Sequence, residues 1–164
     1  GNAGIVMRPY VVEKVVSKEG KTVERTEREQ LGRAVGPVNA KAIGDLMVAA
    51  VEGGTGTAAR ISGYRVGGKT GTAEKLVGGH YASNMVVTTF AGVFPMDEPR
   101  YVMVVMLDEP QPTAETFGFR TAGWNVAPVV SKTVSRIAPM LGVRPDKRRE
   151  ANLAEVLPFI RKEH

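Results

Sequence analysis

Three strand-like segments follow one another in the middle of the chain and are joined by turns of only a few residues. They cover residues 66–77, 85–94 and 100–107, and all three are rich in β-branched and other apolar residues. A Gly-Gly pair separates the first two, and a turn bounded by two prolines separates the last two. Because parallel strands need a long crossover connection, connections this short predict an antiparallel three-stranded meander.

Two helices are predicted to accompany this sheet. Residues 39–52 carry apolar residues at helical spacing, with Asn39 as a candidate cap and glycines at the end. Their predicted apolar face consists of Ala42, Ile43, Leu46, Met47, Ala50 and Val51. Residues 124–141 carry a second apolar stripe, in which Pro128 is tolerable only in the first turn of a helix. This helix is expected to pack on the meander, so the predicted fold class is α+β.

The ends of the chain are predicted to be less regular. Residues 5–26 alternate strand-like and turn residues and predict a hairpin excursion, while residues 144–164 form a charged tail. The net charge is +5, but no dense basic block carries interleaved aromatic residues, so no nucleic-acid partner is expected. The chain has no cysteine and only two histidines, and we expect neither a metal site nor a cofactor.

The most pointed local pattern lies in the first strand-like segment, at residues 66–75, Val-Gly-Gly-Lys-Thr-Gly-Thr-Ala-Glu-Lys. Lys69, Thr70 and Thr72 supply one cation and two hydroxyls, a set suited to holding a carboxylate. Gly71 leaves room for the close approach of another backbone. A glycine-rich loop at residues 53–57 precedes this segment and is either a plain connector or part of the site wall.

A nucleotide hydrolase is the rival hypothesis for the same residues. Residues 63–70 match the G-x-x-x-x-G-K-[ST] pattern of phosphate-binding loops. Such a loop must follow a buried strand and open a helix. Residues 57–62 contain one large apolar residue, and residues 71–77 reach the Gly-Gly pair too soon for a crossover helix.

Residues 68–75, Gly-Lys-Thr-Gly-Thr-Ala-Glu-Lys, resemble the third signature of penicillin-binding transpeptidases and serine β-lactamases. The similarity is closest to class B penicillin-binding proteins of the division type and extends over residues 4–144. It includes Met-Arg-Pro-Tyr at 7–10, Val-Glu-Gly-Gly-Thr-Gly-Thr-Ala at 51–58, and Leu-Asp-Glu-Pro at 107–110. The resemblance implies the C-terminal part of a transpeptidase domain with a β-lactamase-like fold over residues 1–164.

The resemblance also implies a reaction and roles for individual residues. In this family a serine attacks the penultimate D-Ala carbonyl of a peptidoglycan stem peptide, the terminal D-Ala leaves, and the amine of a neighbouring peptidoglycan strand resolves the acyl-enzyme. Lys69 would support proton transfer, and the hydroxyls of Thr70 and Thr72 would hold the carboxylate of a substrate or β-lactam. The Thr72 backbone N–H would form half of an oxyanion hole. Gly71 would let the substrate lie along the strand.

The chain departs from the family pattern in one respect. Ser-x-x-Lys, which carries the nucleophile, and Ser-x-Asn are both missing around its five serines, Ser17, Ser62, Ser83, Ser131 and Ser135. The chain is therefore expected to be a fragment that is inactive by itself, unless it is a non-catalytic interaction module on the same fold. The expected partners of the parent enzyme are the stem peptide, β-lactams, the N-terminal remainder of the domain and septal division proteins. The expected location is the periplasmic face of the inner membrane, with an N-terminal anchor outside this chain.

Overall fold

A computed structural model describes residues 1–146 and residue 148 of the chain. These residues form two compact units. One comprises Asn2–Lys41, and the other begins at Ala42 and also includes Gly1. Because α1, at Pro37–Glu52, crosses the boundary between them, each unit is described by itself. Most of the predicted charged tail at 144–164 lies outside the described residues.

The first unit consists of two antiparallel strand pairs. β2 (Lys14–Val16) pairs with β3 (Thr22–Arg25), as the hairpin pattern predicted. The outer pair joins β1 (Ile5–Met7) to β4 (Gln30–Arg33), so the paired region continues beyond residue 26. The charged stretch that contains β4 gave no strand signal in the sequence; β4 is held beside β1 by backbone pairing, which the hydrogen bond from the Arg8 N–H to the Glu29 carbonyl at 2.9 Å extends.

The second unit contains the predicted meander. β5 (Gly67–Val77), β6 (His80–Phe94) and β7 (Tyr101–Asp108) are antiparallel and lie in the order β5-β6-β7. The prediction of three antiparallel strands is confirmed, although β6 begins at His80 rather than at residue 85. The reason is the two-residue turn of Gly78 and Gly79, whose positive φ angles of 58° and 85° keep the strands paired up to the turn.

The helix α2 (Val126–Met140) covers one face of this sheet. Val126, Val130 and Val134 are fully buried and belong to one core with Phe90 of β6. Burying each such side chain contributes about 1.5–3 kcal/mol relative to leaving it exposed. The helix lies within the predicted range 124–141, Pro128 falls in its first turn, and it ends before Gly142, where φ is +72°.

The helix α1 begins earlier than predicted, and its buried face differs. It starts at Pro37, so Asn39 lies inside the helix and is not its cap. Its buried residues are Gly44, Val48, Ala49 and Val51, whereas much of the predicted apolar face is exposed, including Ile43 and Leu46 at 48% and 49%. The predicted face is right at Val51, which is fully buried, and wrong at Ile43 and Leu46, because the helix is apolar on most of its sides and periodicity alone does not select one. A short 3-10 helix, Thr57–Ala59, follows the glycine loop.

The other face of the sheet is only partly covered by the described residues: Gly67 and Val93 are buried at one end, where Met96 and, from α1, Met47 lie close to Gly67, whereas its β7 side is exposed. Along β7, Met103, Val105 and Leu107 pack against the core, while their neighbours Val102, Val104 and Met106 are exposed. The latter three are named the β7 stripe below. Strand residues alternate between the faces of a sheet, so the apolar run of β7 supplies both faces. Among the described residues, no helix combines the length and hydropathy that a membrane span requires.

Candidate active site

The Lys-Thr-Gly-Thr residues all lie on β5, an edge strand. β5 pairs with β6 and with no other described strand, so its second edge is available for another extended chain. Alternation places Thr70 and Thr72 on the face that α2 covers, and Lys69 and Gly71 on the opposite face. The structure thus separates the two hydroxyls from the lysine by the plane of the sheet.

Thr70 is held by the glycine loop, residues 53–57. The hydroxyl oxygens of Thr55 and Thr70 lie 2.6 Å apart, within hydrogen-bond distance. Thr70 pairs across the sheet with the fully buried Phe90, which anchors its backbone. The loop therefore contacts the motif directly, as a wall of the predicted site would.

Thr72 is held by a second loop, residues 120–125, which precedes α2. The Ala122 backbone N–H donates to Thr72 Oγ1 at 3.1 Å. Asn125 braces the loop, because its Nδ2 donates to the Arg120 carbonyl at 2.8 Å and its Oδ1 accepts from Thr88 Oγ1 at 2.9 Å. Thr88 is completely buried and pairs with Thr72 across the sheet. A buried polar network satisfied in this way holds its members in one arrangement.

Glycine is required at two positions of β5 by packing. A Cβ at Gly71 would lie 2.6 Å from the Thr89 hydroxyl oxygen. At Gly68 the Cβ would lie 2.2 Å from the Phe90 ring. The sequence had suggested close approach at Gly71 only. The structure shows that both glycines accommodate side chains of β6.

Lys69 is exposed on the face of the sheet opposite α2. Its Nζ donates to the neighbouring Thr70 carbonyl oxygen at 2.6 Å. The register places Lys69 in one row with Ala91 of β6 and Val104 of the β7 stripe. The lysine and the stripe thus share one surface.

Aromatic side chains lie beside the 120–125 loop. Trp124 stacks on Phe119 with ring centres 5.3 Å apart and meets Phe117 edge-on at 5.4 Å. All three rings are exposed. They form an apolar surface next to the loop that holds Thr72.

Lys75 connects the far end of β5 to the end of β7. Its Nζ lies 2.7 Å from Asp108 Oδ1 and 2.7 Å from Glu109 Oε1. The hydrogen bond to Asp108 makes the largest contribution to raising the pKa of Lys75 above its ordinary value of 10.5, and the hydrogen bond to Glu109 makes the next largest. The sequence grouped Lys75 with the motif, but the structure assigns it to an ion-pair cluster rather than to the site.

We expect Lys75→Met to lower the melting temperature by no more than a few degrees near neutral pH. A raised lysine pKa means that the folded state favours the charged form. This stabilisation is complete below pH 10.5, the ordinary pKa, and is lost as pH rises through the raised value. Thermal unfolding from pH 7 to 11 should therefore show the wild-type advantage shrinking at the alkaline end. Lys132→Met, on the exposed side of α2, is the matched control, and an equal effect there would contradict the role of the cluster.

Comparison with known proteins agrees with this architecture. The sequence matches the family described as the penicillin binding protein transpeptidase domain over residues 1–132. The chain therefore belongs to this family, as the β5 motif indicated, and class B fits its relatives. It is 40% identical over 149 residues to the "Probable peptidoglycan D,D-transpeptidase FtsI" of Caulobacter vibrioides, covering 84% of this chain and 24% of the relative.

Two further comparisons agree. The chain is 38% identical to the "Probable peptidoglycan D,D-transpeptidase PenA" of Neisseria gonorrhoeae, covering 87% of this chain and 22% of that protein. Penicillin-binding protein 3 of Mycobacterium tuberculosis, solved with ampicillin, superposes with a TM-score of 0.74 at 27% identity. That match covers 88% of this chain and 33% of the solved one. The chain thus spans about a quarter of the length of the curated relatives it matches.

The nucleotide-hydrolase hypothesis is not supported. The residues after Lys69 and Thr70 continue as strand β5 up to Val77, and no helix N-terminus follows the motif to bind phosphate. The predicted α+β class, with helices beside an antiparallel sheet, is confirmed both by the structure and by its structural neighbours.

Proposed function

We propose that this chain is the C-terminal part of the transpeptidase domain of a peptidoglycan D,D-transpeptidase, a β-lactam target. The observation that supports this most directly is the edge strand β5, which presents Lys69, Thr70 and Thr72 beside an available edge. A stem peptide lying along that edge as an additional strand would pass all three. Extended peptides bind exposed sheet edges in this way because main-chain hydrogen bonds supply affinity.

In the proposed reaction, the site residues divide substrate binding, oxyanion stabilisation and proton transfer between them. The Thr70 and Thr72 hydroxyls bind the terminal carboxylate, and the Thr72 backbone N–H stabilises the developing oxyanion. Gly71 leaves the path of the substrate backbone clear. Lys69 assists proton transfer to and from the serine nucleophile, which belongs to a part of the domain outside this chain.

The surface around Lys69 supports the proposal that the remainder of the domain packs there. Lys69 and the β7 stripe share the exposed part of the face opposite α2, and the stripe residues are 64–76% exposed. Such an apolar surface is typical of an interface. We propose that the N-terminal part of the transpeptidase domain covers this face and brings its serine to Lys69.

The wider role that we propose for the whole protein follows from its relatives. It is a division-type enzyme of cell-wall synthesis and cell shape, acting at the periplasmic face of the inner membrane. Its further partners are septal membrane proteins, and a segment N-terminal to this chain provides the anchor. The FtsI name of the Caulobacter relative supports the division role.

Intact-mass measurement after incubation with benzylpenicillin tests the proposal. We expect one covalent adduct per molecule of the full-length protein and none on the 164-residue chain by itself, because no Ser-x-x-Lys occurs in it. Penicillin with a hydrolysed lactam ring is the control and should add no mass to either. An adduct on the isolated chain would mean that one of its own serines is activated. A full-length protein without an adduct would instead support the non-catalytic interaction module.

A further inference from the structure

We propose that Thr55 is a positioning residue that orients the Thr70 hydroxyl, and so makes the site selective for a carboxylate over a neutral group. This inference rests on the proposed function, in which Thr70 binds the substrate carboxylate. Neither the motif on β5 nor the family match assigns a role to Thr55. The residue belongs to the glycine loop, 15 positions before Thr70 in the chain.

The first step of the argument concerns the proton between the two hydroxyls. Their oxygens are 2.6 Å apart, so one hydroxyl donates and the other accepts. A carboxylate is only an acceptor, so Thr70 must keep its own proton for the ligand. Thr55 must then donate to Thr70. Donation into the Thr70 oxygen also polarises its O–H bond, which strengthens the hydrogen bond to an anion.

Thr72 shows the same arrangement with a donor of known direction. A backbone N–H cannot accept, so the contact between Ala122 N and Thr72 Oγ1 at 3.1 Å fixes Thr72 as the acceptor in that bond. The hydroxyl proton of Thr72 is thereby left for a ligand. Thr55 donates to the Thr70 oxygen as the Ala122 N–H donates to the Thr72 oxygen. The hydroxyls of Thr70 and Thr72 are then both free to donate to a ligand.

The third step concerns the rigidity of Thr55. The Gly56 N–H donates to the Ala50 carbonyl at 2.9 Å, which ties the glycine loop to the end of α1. On the other side, a Cβ at Gly123 would lie 2.7 Å from the Thr55 carbonyl oxygen, so a glycine is needed for the 120–125 loop to pack there. Thr55 is thus held between two packed segments, and its hydroxyl has a defined partner.

Carboxylate dependence of acylation is the test. In the full-length protein we expect Thr55→Val to reduce the second-order rate constant for acylation by benzylpenicillin about tenfold, the upper end of the range for one lost hydrogen bond between neutral groups. With the methyl ester of benzylpenicillin, whose carboxylate is masked, the change should stay below about twofold. Thr55→Ser, which keeps the hydroxyl, should remain within about threefold of wild type on both compounds.

Three controls separate the possible outcomes. Thr22→Val, on the exposed strand β3, should leave both rate constants unchanged, and melting temperatures identify variants that fold poorly. Thr70→Val should show the same carboxylate-dependent loss of acylation rate. The double variant Thr55→Val/Thr70→Val should acylate only slightly more slowly than Thr70→Val alone, because the two residues act through one hydrogen bond.

Equal losses by Thr55→Val on the acid and on the ester would indicate a merely structural role and overturn the inference. A wild-type rate for Thr55→Val beside a large loss for Thr70→Val would overturn the inference and leave the proposed function standing. If Thr70→Val kept full carboxylate preference, the proposed role of Thr70 and the inference would both be wrong.

Discussion

Replacing Lys69 with methionine in the full-length protein is expected to slow acylation by penicillin about 10²–10⁴-fold, the usual contribution of a positioned acid or base. Lys69 is exposed and donates to the carbonyl of the adjacent Thr70, so its removal should leave the melting temperature nearly unchanged. Stopped-flow measurement with a chromogenic β-lactam gives the rate. The substitution is therefore expected to lower the acylation rate without lowering the stability of the protein.

Two variants control for this interpretation. Lys132→Met removes a positive charge from α2 and should acylate at the wild-type rate. Lys69→Arg keeps the charge but is a poor proton donor and acceptor, because its guanidinium stays protonated. An arginine variant with wild-type activity would show that Lys69 acts through its charge alone. A methionine variant slowed less than about fivefold would contradict the catalytic proposal altogether.

The second large effect is expected for stability. Gly68→Ala should lower the free energy of unfolding by about 1–3 kcal/mol or more, the cost of overpacking a core. The added Cβ would lie 2.2 Å from Phe90 Cζ and 2.5 Å from Cε1, and Phe90 is fully buried and unable to move aside. Urea unfolding of the variant and the wild type measures the difference.

A matched pair of variants identifies the Phe90 ring as the cause. In Gly44→Ala the new Cβ would lie 2.5 Å from Met96 Cε, the end of a flexible side chain that turns away at little cost. Since alanine also favours the helix α1, we expect stability to be unchanged or higher. The double variant Gly68→Ala/Phe90→Leu should lose less than the two single variants summed, because leucine lacks the clashing atoms. Strict additivity would exclude the clash as the mechanism.

The regular elements of the second unit were largely predictable from local chemistry. Short turns between β-rich segments permit only antiparallel pairing, and the meander β5-β6-β7 follows. The apolar stripe of residues 124–141, which includes Val134 and Leu141, likewise predicts α2. Apolar residues at helical spacing lie on one face of a helix, and that face is buried. Local signals were weaker for β4, where Gln30 and Arg33 belong to a charged stretch that pairs only because β1 lies beside it.

The face of α1 shows where such predictions end. Ile43 and Val48 are equally apolar, and periodicity cannot choose between two apolar sides of one helix. Val48 is fully buried and packs with Met96, whereas Ile43 is 48% exposed. That choice depends on a residue far along the chain.

The candidate site divides in the same way. Lys69, Thr70, Gly71 and Thr72 are recognisable from the sequence, because their residue types and spacing on one strand define what they offer a ligand. Which side of the sheet each faces, and which groups hold the two hydroxyls, was decided by tertiary structure. Thr55 and Ala122 reach Thr70 and Thr72 from distant positions. Composition and spacing act over a few residues and determine strands and motifs, whereas the direction of a hydroxyl proton depends on groups that only folding brings within hydrogen-bond distance.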